Sequence, residues 1–180
     1  MAKGAPVILS NRGHSQWDPL TRALVGPAGE HWVLYRLYRE GLLAALSPPG
    51  ILEADILVLD IRRQVAATIQ VKTRTVGRDG GWHMQAKHEA IADPRHFYAL
   101  VDLEAVPPIT YIVPSPKIGQ VLRESHQNWL RHPGTRGAVH RDSKFRRILP
   151  KYAYPVPGAP DGWLEEYCEG WSTIIEEATS

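Results

Sequence analysis

The spacing of apolar residues predicts helices and strands that alternate along the chain. A first helix is predicted from Pro27 to about Glu40, because Pro suits the first helical position and Gly41 ends the pattern. Its inner stripe consists of Val33, Leu34 and Leu37. Glu30 precedes these residues by three, four and seven positions, so we expect its carboxylate on the apolar face, where a charge is unusual.

Two strands follow, and the link between them is short enough for an antiparallel hairpin. The apolar segment Asp55–Ile61 predicts a buried strand, and Val65–Thr75 predicts its partner. Alternation along the second strand puts Gln70 and Lys72 on one side. With a turn centred at residue 63, Asp55 falls opposite about residue 71, so all three polar residues are expected near the open end of the hairpin.

The rest of the chain continues the alternation, and the fold class it predicts is α/β (or α+β) with a mixed sheet in a single domain, 1–180. Residues 1–26 are expected to be an irregular lead-in, and residues 77–81 form a Gly-rich loop. Residues 132–162 are rich in Pro and Gly and predict a long loop. The other predicted elements are a helix over His83–Ile91, strands His96–Leu103 and Thr110–Val113, a helix capped by Ser115 and reaching Arg131, and a C-terminal amphipathic helix over Gly162–Ala178.

Composition excludes several classes of protein. A length of 180 residues fits one domain, a single cysteine excludes a disulfide framework, and no apolar run approaches the roughly 20 residues that span a bilayer. We therefore expect a cytoplasmic protein with no membrane contact. The chain contains no GxSxG, Walker A, GxGxxG or HExxH motif, so no nucleotide cofactor is expected.

The charge is unevenly distributed, although the net charge is only +2. Residues 117–151 contain nine Lys or Arg and two acids, whereas the chain from Asp161 onward contains six acids and no Lys or Arg. A basic segment of this kind favours an anionic partner, most often nucleic acid, although a solvated surface or packing against the acidic C-terminal helix also accounts for it. The candidate DNA contacts in this segment are Arg136, Arg141, Lys144, Arg146 and Arg147.

The polar residues of the hairpin and first helix suit metal-assisted phosphodiester hydrolysis. Asp55, the Gln70 side-chain oxygen and the Val71 backbone carbonyl are oxygen ligands of the kind Mg²⁺ takes. Lys72 can orient a water or stabilise developing charge, and Glu30 can hold the metal or a water. Alternative interpretations remain open: Asp55 as a strand-start cap, Gln70 and Lys72 on the wet face of an edge strand, and Glu30 paired with a surface arginine.

This set resembles the PD-(D/E)xK nuclease superfamily, through Glu30 in GEHWVLYRL, Asp55 in ADILVLD and Gln70 and Lys72 in IQVKT. The resemblance implies a restriction-endonuclease-like core over 26–131 with an extension over 132–180. It implies Mg²⁺ or Mn²⁺ as cofactor, DNA as substrate and a possible homodimer. Gln70 stands where the family pattern has an acid, and its amide offers an oxygen without a charge, so weaker metal binding is expected.

The same resemblance places the segment after the hairpin near the substrate. His83 and Lys87, one turn apart on the predicted helix, are candidate phosphate contacts, and Trp82 is a candidate for base stacking or for the core. The function predicted is metal-dependent cleavage of DNA. The alternatives are an inactive nucleic-acid-binding module on the same fold, and a protein-interaction subunit that exposes Trp163 and Trp171.

Overall fold

The computed structural model describes residues 19–48, 50, 53–75 and 80–179. Most of the lead-in predicted over 1–26 and of the Gly-rich loop predicted over 77–81 lies outside these residues. The described chain forms three α-helices and seven strands: α1 (Pro19–Arg39), β1 (Leu43–Leu46), β2 (Ile56–Leu59), β3 (Val65–Arg74), β4 (Trp82–Gln85), β5 (His96–Asp102), β6 (Ile109–Pro114), α2 (Ser115–Arg131), β7 (Phe145–Ile148) and α3 (Trp171–Thr179). None of these helices combines the length and apolar character that a membrane span requires.

Five strands form the central sheet in the order β1-β2-β3-β5-β6. Strands β3 and β5 run parallel, and the other neighbours run antiparallel. Strands β4 and β7 pair separately as a two-stranded antiparallel ribbon. The prediction of an α/β fold with a central mixed sheet and flanking helices is confirmed, as is the hairpin of β2 and β3.

The sheet lies between two layers, because alternate residues of its strands point to opposite sides. On one side α1 and α3 pack on the sheet in a buried cluster that includes Val33, Ile69 and Ile174. On the other side α2 and the ribbon pack in a second cluster that includes Trp82 and Leu122. Residues 132–179 contribute to both clusters, since β7 lies in the second layer and α3 in the first.

Two of the predicted helices are wrong, one in its starting residue and the other in its type of secondary structure. Helix α1 begins at Pro19, so Pro27 lies inside the helix rather than at its start. The helix predicted over His83–Ile91 is strand β4 followed by a 3₁₀ turn, Ala86–Glu89. Pairing with β7, more than 50 residues away along the chain, gives β4 its alternation of buried and exposed side chains. His83 and Lys87 are therefore not one helical turn apart.

The predicted C-terminal helix is also shorter, because the chain breaks at Glu169. This residue has a φ of 53° and accepts hydrogen bonds from Thr110 N (2.8 Å) and Trp171 Nε1 (2.9 Å). The break sends the two halves of the apolar stripe to different layers. Trp163 packs in the α2 layer at 4% exposure and Trp171 in the α1 layer at 3%, so the interpretation of these indoles as an exposed interaction stripe is wrong.

Ser115 does not cap α2. Pro114 occupies the N-cap position, and no side chain caps the helix there. The Ser115 hydroxyl instead donates to the Asp93 carbonyl at 2.8 Å. Because Ser115 is buried, this bond ties the start of α2 to the loop before β5.

Helix α1 approaches β3 closely at Gly29, next to Glu30. A Cβ at Gly29 would overlap Thr73 Oγ1 and lie 3.0 Å from Thr73 Cβ. Gly26, one turn earlier on the same helix, has no atom within 4 Å of the corresponding position. The missing side chain at Gly29 therefore sets how near α1, and with it Glu30, lies to β3.

We predict opposite effects for two glycine substitutions on this helix. Gly29→Ala should destabilise the protein by about 1–3 kcal/mol through overpacking against Thr73. Gly26→Ala should stabilise it by about 0.5–1 kcal/mol, because it only removes backbone freedom. Urea unfolding measures both. Adding Thr73→Ala should recover most of the Gly29→Ala loss, and equal effects of the two alanines would contradict the close approach.

Candidate active site at the open end of the hairpin

Strand β2 ends before its partner does, and Asp55 occupies the position that β2 leaves. Ile56 pairs with Ile69, but β3 continues to Arg74. Asp55 N donates to the Ile69 carbonyl at 2.9 Å. Its Oδ2 then accepts from Val71 N at 2.7 Å and from Gln70 Nε2. The carboxylate thus takes over the hydrogen bonding of β3 where the neighbouring strand has stopped.

The register of the hairpin differs by one residue from the expected one. The pair Leu59–Val65 centres the turn at residue 62 rather than 63, and this register alone would put Asp55 opposite Ile69. A bulge between Val58 and Leu59 then shifts the pairing by one residue, so that Asp55 lies opposite Gln70. A shift of one residue moves a side chain to the other face of a sheet. The bulge is therefore what puts the Asp55 carboxylate on the same face as Gln70 and Lys72.

The Val71 carbonyl faces the same open position. Thr68 N bonds to the Arg95 carbonyl on the β5 side, whereas the Ile69 carbonyl bonds to Asp55 N on the β2 side. Odd-numbered residues of this part of β3 therefore turn their N–H and C=O groups toward β2. Val71 N does so by donating to Asp55, and its carbonyl points to the edge beyond the end of β2.

Glu30 reaches this position from the opposite layer. It lies on α1 beside the Gly29–Thr73 contact and is partly buried. Burial raises the pKa of Glu30, the Asp55 carboxylate raises it further, and His31 and Lys72 lower it. Asp55 and Lys72 therefore lie near enough to Glu30 to affect its pKa.

Lys72 is held partly out of water at the same place. Burial lowers the pKa of Lys72, Asp55 opposes that shift, and Lys87 reinforces it, while Glu30 and Glu53 also oppose it. Loss of hydration therefore outweighs the attraction of the nearby carboxylates. An amine in this state keeps its proton less firmly than a lysine in water, and Glu30 keeps its proton more firmly than an ordinary glutamate.

The structure decides between the alternatives for three of these residues. Gln70 is 9% exposed and Lys72 is partly buried, so they do not lie on a wet strand face, although β3 pairs only with β5 beyond Ile69. Arg36 pairs with Glu40 and Glu169, not with Glu30. Asp55 does hold the backbone N–H of Val71, so a structural role for its carboxylate is part of the site.

The donors gathered here fit a hard divalent cation. They are two carboxylates (Asp55 and Glu30), the Gln70 side-chain oxygen and the Val71 carbonyl, all oxygens of the kind that Mg²⁺ and Mn²⁺ prefer. Among the described residues, no group of three or more His, Cys, Asp or Glu side chains is placed to hold a metal. A cation at this site would therefore depend on amide and backbone oxygens as well as carboxylates.

A polar network that the sequence analysis missed lies beside Gln70 and Lys72 on the same face of the sheet. His96 Nδ1 and Thr68 Oγ1 are 2.8 Å apart, and His88 Nδ1 lies 2.7 Å from Tyr98 Oη. Burial, together with Lys72 and Lys87, lowers the pKa of His88 to about 4. These two histidines are neighbours of Gln70 and Lys72. In the sequence, only the alternation of His96 and Tyr98 along a predicted strand indicated that they share a face.

The predicted DNA contacts fall into three groups. Trp82 is fully buried and its indole N–H donates to the Val101 carbonyl at 2.9 Å, so it belongs to the core and does not stack on a base. Lys87 and Arg146 form ion pairs, with Glu53 and Glu89 respectively. The remaining members, all exposed, are His83, Arg136, Arg141, Lys144 and Arg147.

A cavity of about 480 Å³ lies away from the carboxylate site, between the ribbon and α2. Its walls include His83, Phe145 and Arg147 of the ribbon and His126 and Trp129 of α2. None of Glu30, Asp55, Gln70 and Lys72 lines it. This cavity is thus separate from the acidic residues, which lie at a strand edge.

Comparison with known proteins gives similarity at the level of structure only. No family model matches the chain, and no curated protein matches it. Among solved structures, it is similar to the bacterial homing endonuclease I-Ssp6803I, with 14% sequence identity, a TM-score of 0.47, and coverage of 87% of this chain and 92% of the other.

We predict that Lys72→Met stabilises the fold at neutral pH. The folded pKa of Lys72 lies below its ordinary value of 10.5, so the native chain loses stability as the pH falls from 10.5 through that lowered pKa. Methionine has no charge to bury. The melting temperature of the variant should exceed that of the native chain at pH 7, and the difference should vanish above pH 10.5.

Lys151→Met is the matched control. Lys151 is exposed and pairs with Asp161 at 2.6 Å, an interaction worth about 0–1 kcal/mol. Its substitution should leave the melting temperature nearly unchanged at every pH. A lower melting temperature for Lys72→Met at pH 7 would mean that the ion contacts of Lys72 outweigh its burial.

Proposed function

We propose that this protein is a metal-dependent nuclease that hydrolyses DNA phosphodiester bonds. The observation that carries the proposal is the placement of Asp55, whose Oδ2 is fixed by Val71 N and Gln70 Nε2 at the open end of the hairpin. Lys72 follows on the same strand face, and Glu30 enters from α1. Two carboxylates and a dehydrated lysine around a backbone carbonyl suit phosphoryl chemistry.

The residues that would hold the cation are those with a free oxygen at the strand edge. Both hydrogen bonds to Asp55 go to Oδ2, which leaves Oδ1 for a cation. The Gln70 amide uses its nitrogen on Asp55, so its oxygen is the atom that remains. Val71 contributes its carbonyl, and Glu30 binds directly or through a water. A bound Mg²⁺ or Mn²⁺ would neutralise phosphate charge and lower the pKa of a bound water.

Lys72 supports this chemistry through its position and its proton. It follows Gln70 by two residues, so its amine lies on the same face of β3. Partial burial strengthens its interaction with a phosphate oxygen or an attacking water, because little solvent screens the charge. The lowered pKa of Lys72 also eases proton exchange with that water. Glu30, whose pKa is raised by burial, holds its proton more firmly than an ordinary glutamate at the same site.

A cleavage assay tests the proposal. Native protein is incubated with plasmid, linear duplex and single-stranded DNA in Mg²⁺, in Mn²⁺ and in EDTA. We expect cleavage only with a metal, and a rate about 10²–10⁴-fold lower for Asp55→Asn and for Lys72→Met. Glu30→Gln should cost about 10–100-fold. Circular dichroism confirms that each variant is folded.

Asp161→Asn and Lys151→Met are the controls, because they make the same chemical changes in an exposed ion pair. Both should cut at the native rate. Cleavage that survives Asp55→Asn would assign the activity to another site or to a contaminant. Folded native protein that binds DNA with no cleavage of any substrate would replace the proposal with the inactive binding module.

Gln70→Glu should lower the stability of the metal-free protein and raise its affinity for Mg²⁺. The new carboxylate would face Asp55 Oδ2, which now accepts from the Gln70 amide. Two carboxylates in contact raise the pKa of one of them, so the variant should melt below the native protein at pH 7 without metal and recover toward pH 4. Mg²⁺ should raise its melting temperature more than that of the native chain, at about tenfold lower concentration.

Gln120→Glu is the control for this substitution. Gln120 Nε2 donates to Glu124 at 2.8 Å on the exposed surface of α2, so the same pair of groups is present without the site. Its melting temperature should not depend on Mg²⁺. An equal Mg²⁺ response of the native protein and Gln70→Glu would show that residue 70 does not contribute a ligand.

A further inference from the structure

The ribbon of β4 and β7 has one buried and one exposed face. Trp82 and Met84 of β4 and Ile148 of β7 turn into the core. The opposite face carries His83 paired with Arg147, and Gln85 paired with Phe145. Phe145 is 76% exposed, so this face is open to solvent. His83, Phe145 and Arg147 also form the ribbon side of the cavity beside α2.

The exposed side chains have the chemistry that reads base edges. Arginine donates two hydrogen bonds to guanine O6 and N7, and glutamine pairs in the same way with adenine N6 and N7. Phenylalanine makes apolar contact with the thymine methyl group. Arg147, Gln85 and Phe145 therefore supply three of the side-chain types that distinguish bases in the major groove, all on one face.

The dimensions and charge of the ribbon fit the major groove of a duplex. Two strands lie about 4.8 Å apart and four residue pairs extend about 13 Å, against a groove about 12 Å wide that admits a two-stranded ribbon. Arg141 and Lys144, both exposed, lie in the segment just before β7. The walls of the groove would present phosphates to this segment. Asp142, between these two residues, contacts His126 Nε2 at 2.7 Å and lies 3.8 Å from Arg146 Nη2, whose charge offsets its own.

The Gln85 end of the ribbon lies beside the candidate active site. Lys87 follows Gln85 by two residues and pairs with Glu53 at 2.7 Å, and Glu53 precedes Asp55 by two residues. The backbone also continues the ribbon at this end, since Ala86 N donates to the Lys144 carbonyl at 2.9 Å. A duplex seated on the ribbon would therefore pass close to Asp55.

We propose that the exposed face of the β4–β7 ribbon enters the major groove of duplex DNA and reads its sequence through Arg147, Gln85 and Phe145. The inference rests on the proposed function for the presence of DNA, and it adds a recognition element at which the chain selects where to bind. Arg141 and Lys144 contact the flanking phosphates and carry no sequence preference.

Selection from a duplex library with a random centre tests this assignment. Native protein in EDTA, which prevents cleavage, should enrich a sequence motif. Arg147→Ala and Gln85→Ala should each flatten the preference at a different base pair by about 10–100-fold. Lys144→Ala should weaken all sequences alike and reduce the salt dependence of binding by about one ion. Arg62→Ala, in the exposed turn after β2, should change nothing.

Chemical substitution of the selected duplex locates the groove. Replacing the guanine opposite Arg147 by 7-deazaguanine removes N7, so it should weaken native binding and leave Arg147→Ala binding unchanged. The proposal is overturned if native protein enriches no motif, if the Gln85 and Arg147 variants keep the native motif, or if single strands bind better than duplexes. The last result would assign the cavity beside α2, with Trp129, as the binding site instead.

These outcomes separate the two proposals. A chain that selects a motif through the ribbon but cuts no DNA with Mg²⁺ or Mn²⁺ keeps the ribbon assignment and loses the nuclease. A chain whose cleavage depends on Asp55 but whose motif ignores Gln85 and Arg147 keeps the nuclease and loses the ribbon.

Discussion

The candidate site depends on one mismatch in strand length. Strand β2 stops at Ile56, whereas β3 runs on to Arg74, and an unpaired N–H at Val71 would be costly at this buried position. The Asp55 carboxylate accepts that N–H, so folding itself fixes its orientation. The same mismatch leaves the Val71 carbonyl at an open edge. A structural requirement of the sheet thus places two oxygen donors side by side.

Residues from both layers of the fold meet at this edge. The charged groups among them are partly buried, although charges are more stable in water. Gln70 and Lys72 come from the α2 face of β3, while Glu30 comes from α1, whose approach depends on the absence of a side chain at Gly29. The pKa of Glu30 is raised and that of Lys72 is lowered, in each case mainly by burial. Such frustration is typical of functional sites and is not a way to stabilise a fold.

Local features of the sequence predicted the hairpin and the convergence of its polar residues, because a short turn fixes both. The one-residue error at Asp55 came from a turn centred one residue earlier than expected, partly offset by a bulge that leaves no mark in apolar alternation. Strand β4 and the start of the last helix were predicted wrongly for a different reason. The partner of β4 lies on β7, and the break at Glu169 follows from bonds to Thr110 and Trp171 that only the folded chain forms.

Glutamine at position 70 follows from the same geometry. A glutamate there would face Asp55 with no proton between them, and the edge of the sheet would need a cation in order to fold without strain. The amide instead donates to Asp55 and keeps an oxygen for a ligand. With Lys72 present, the site then carries one excess negative charge instead of two. The site can therefore form completely without a cation, and its oxygens are held in fixed positions.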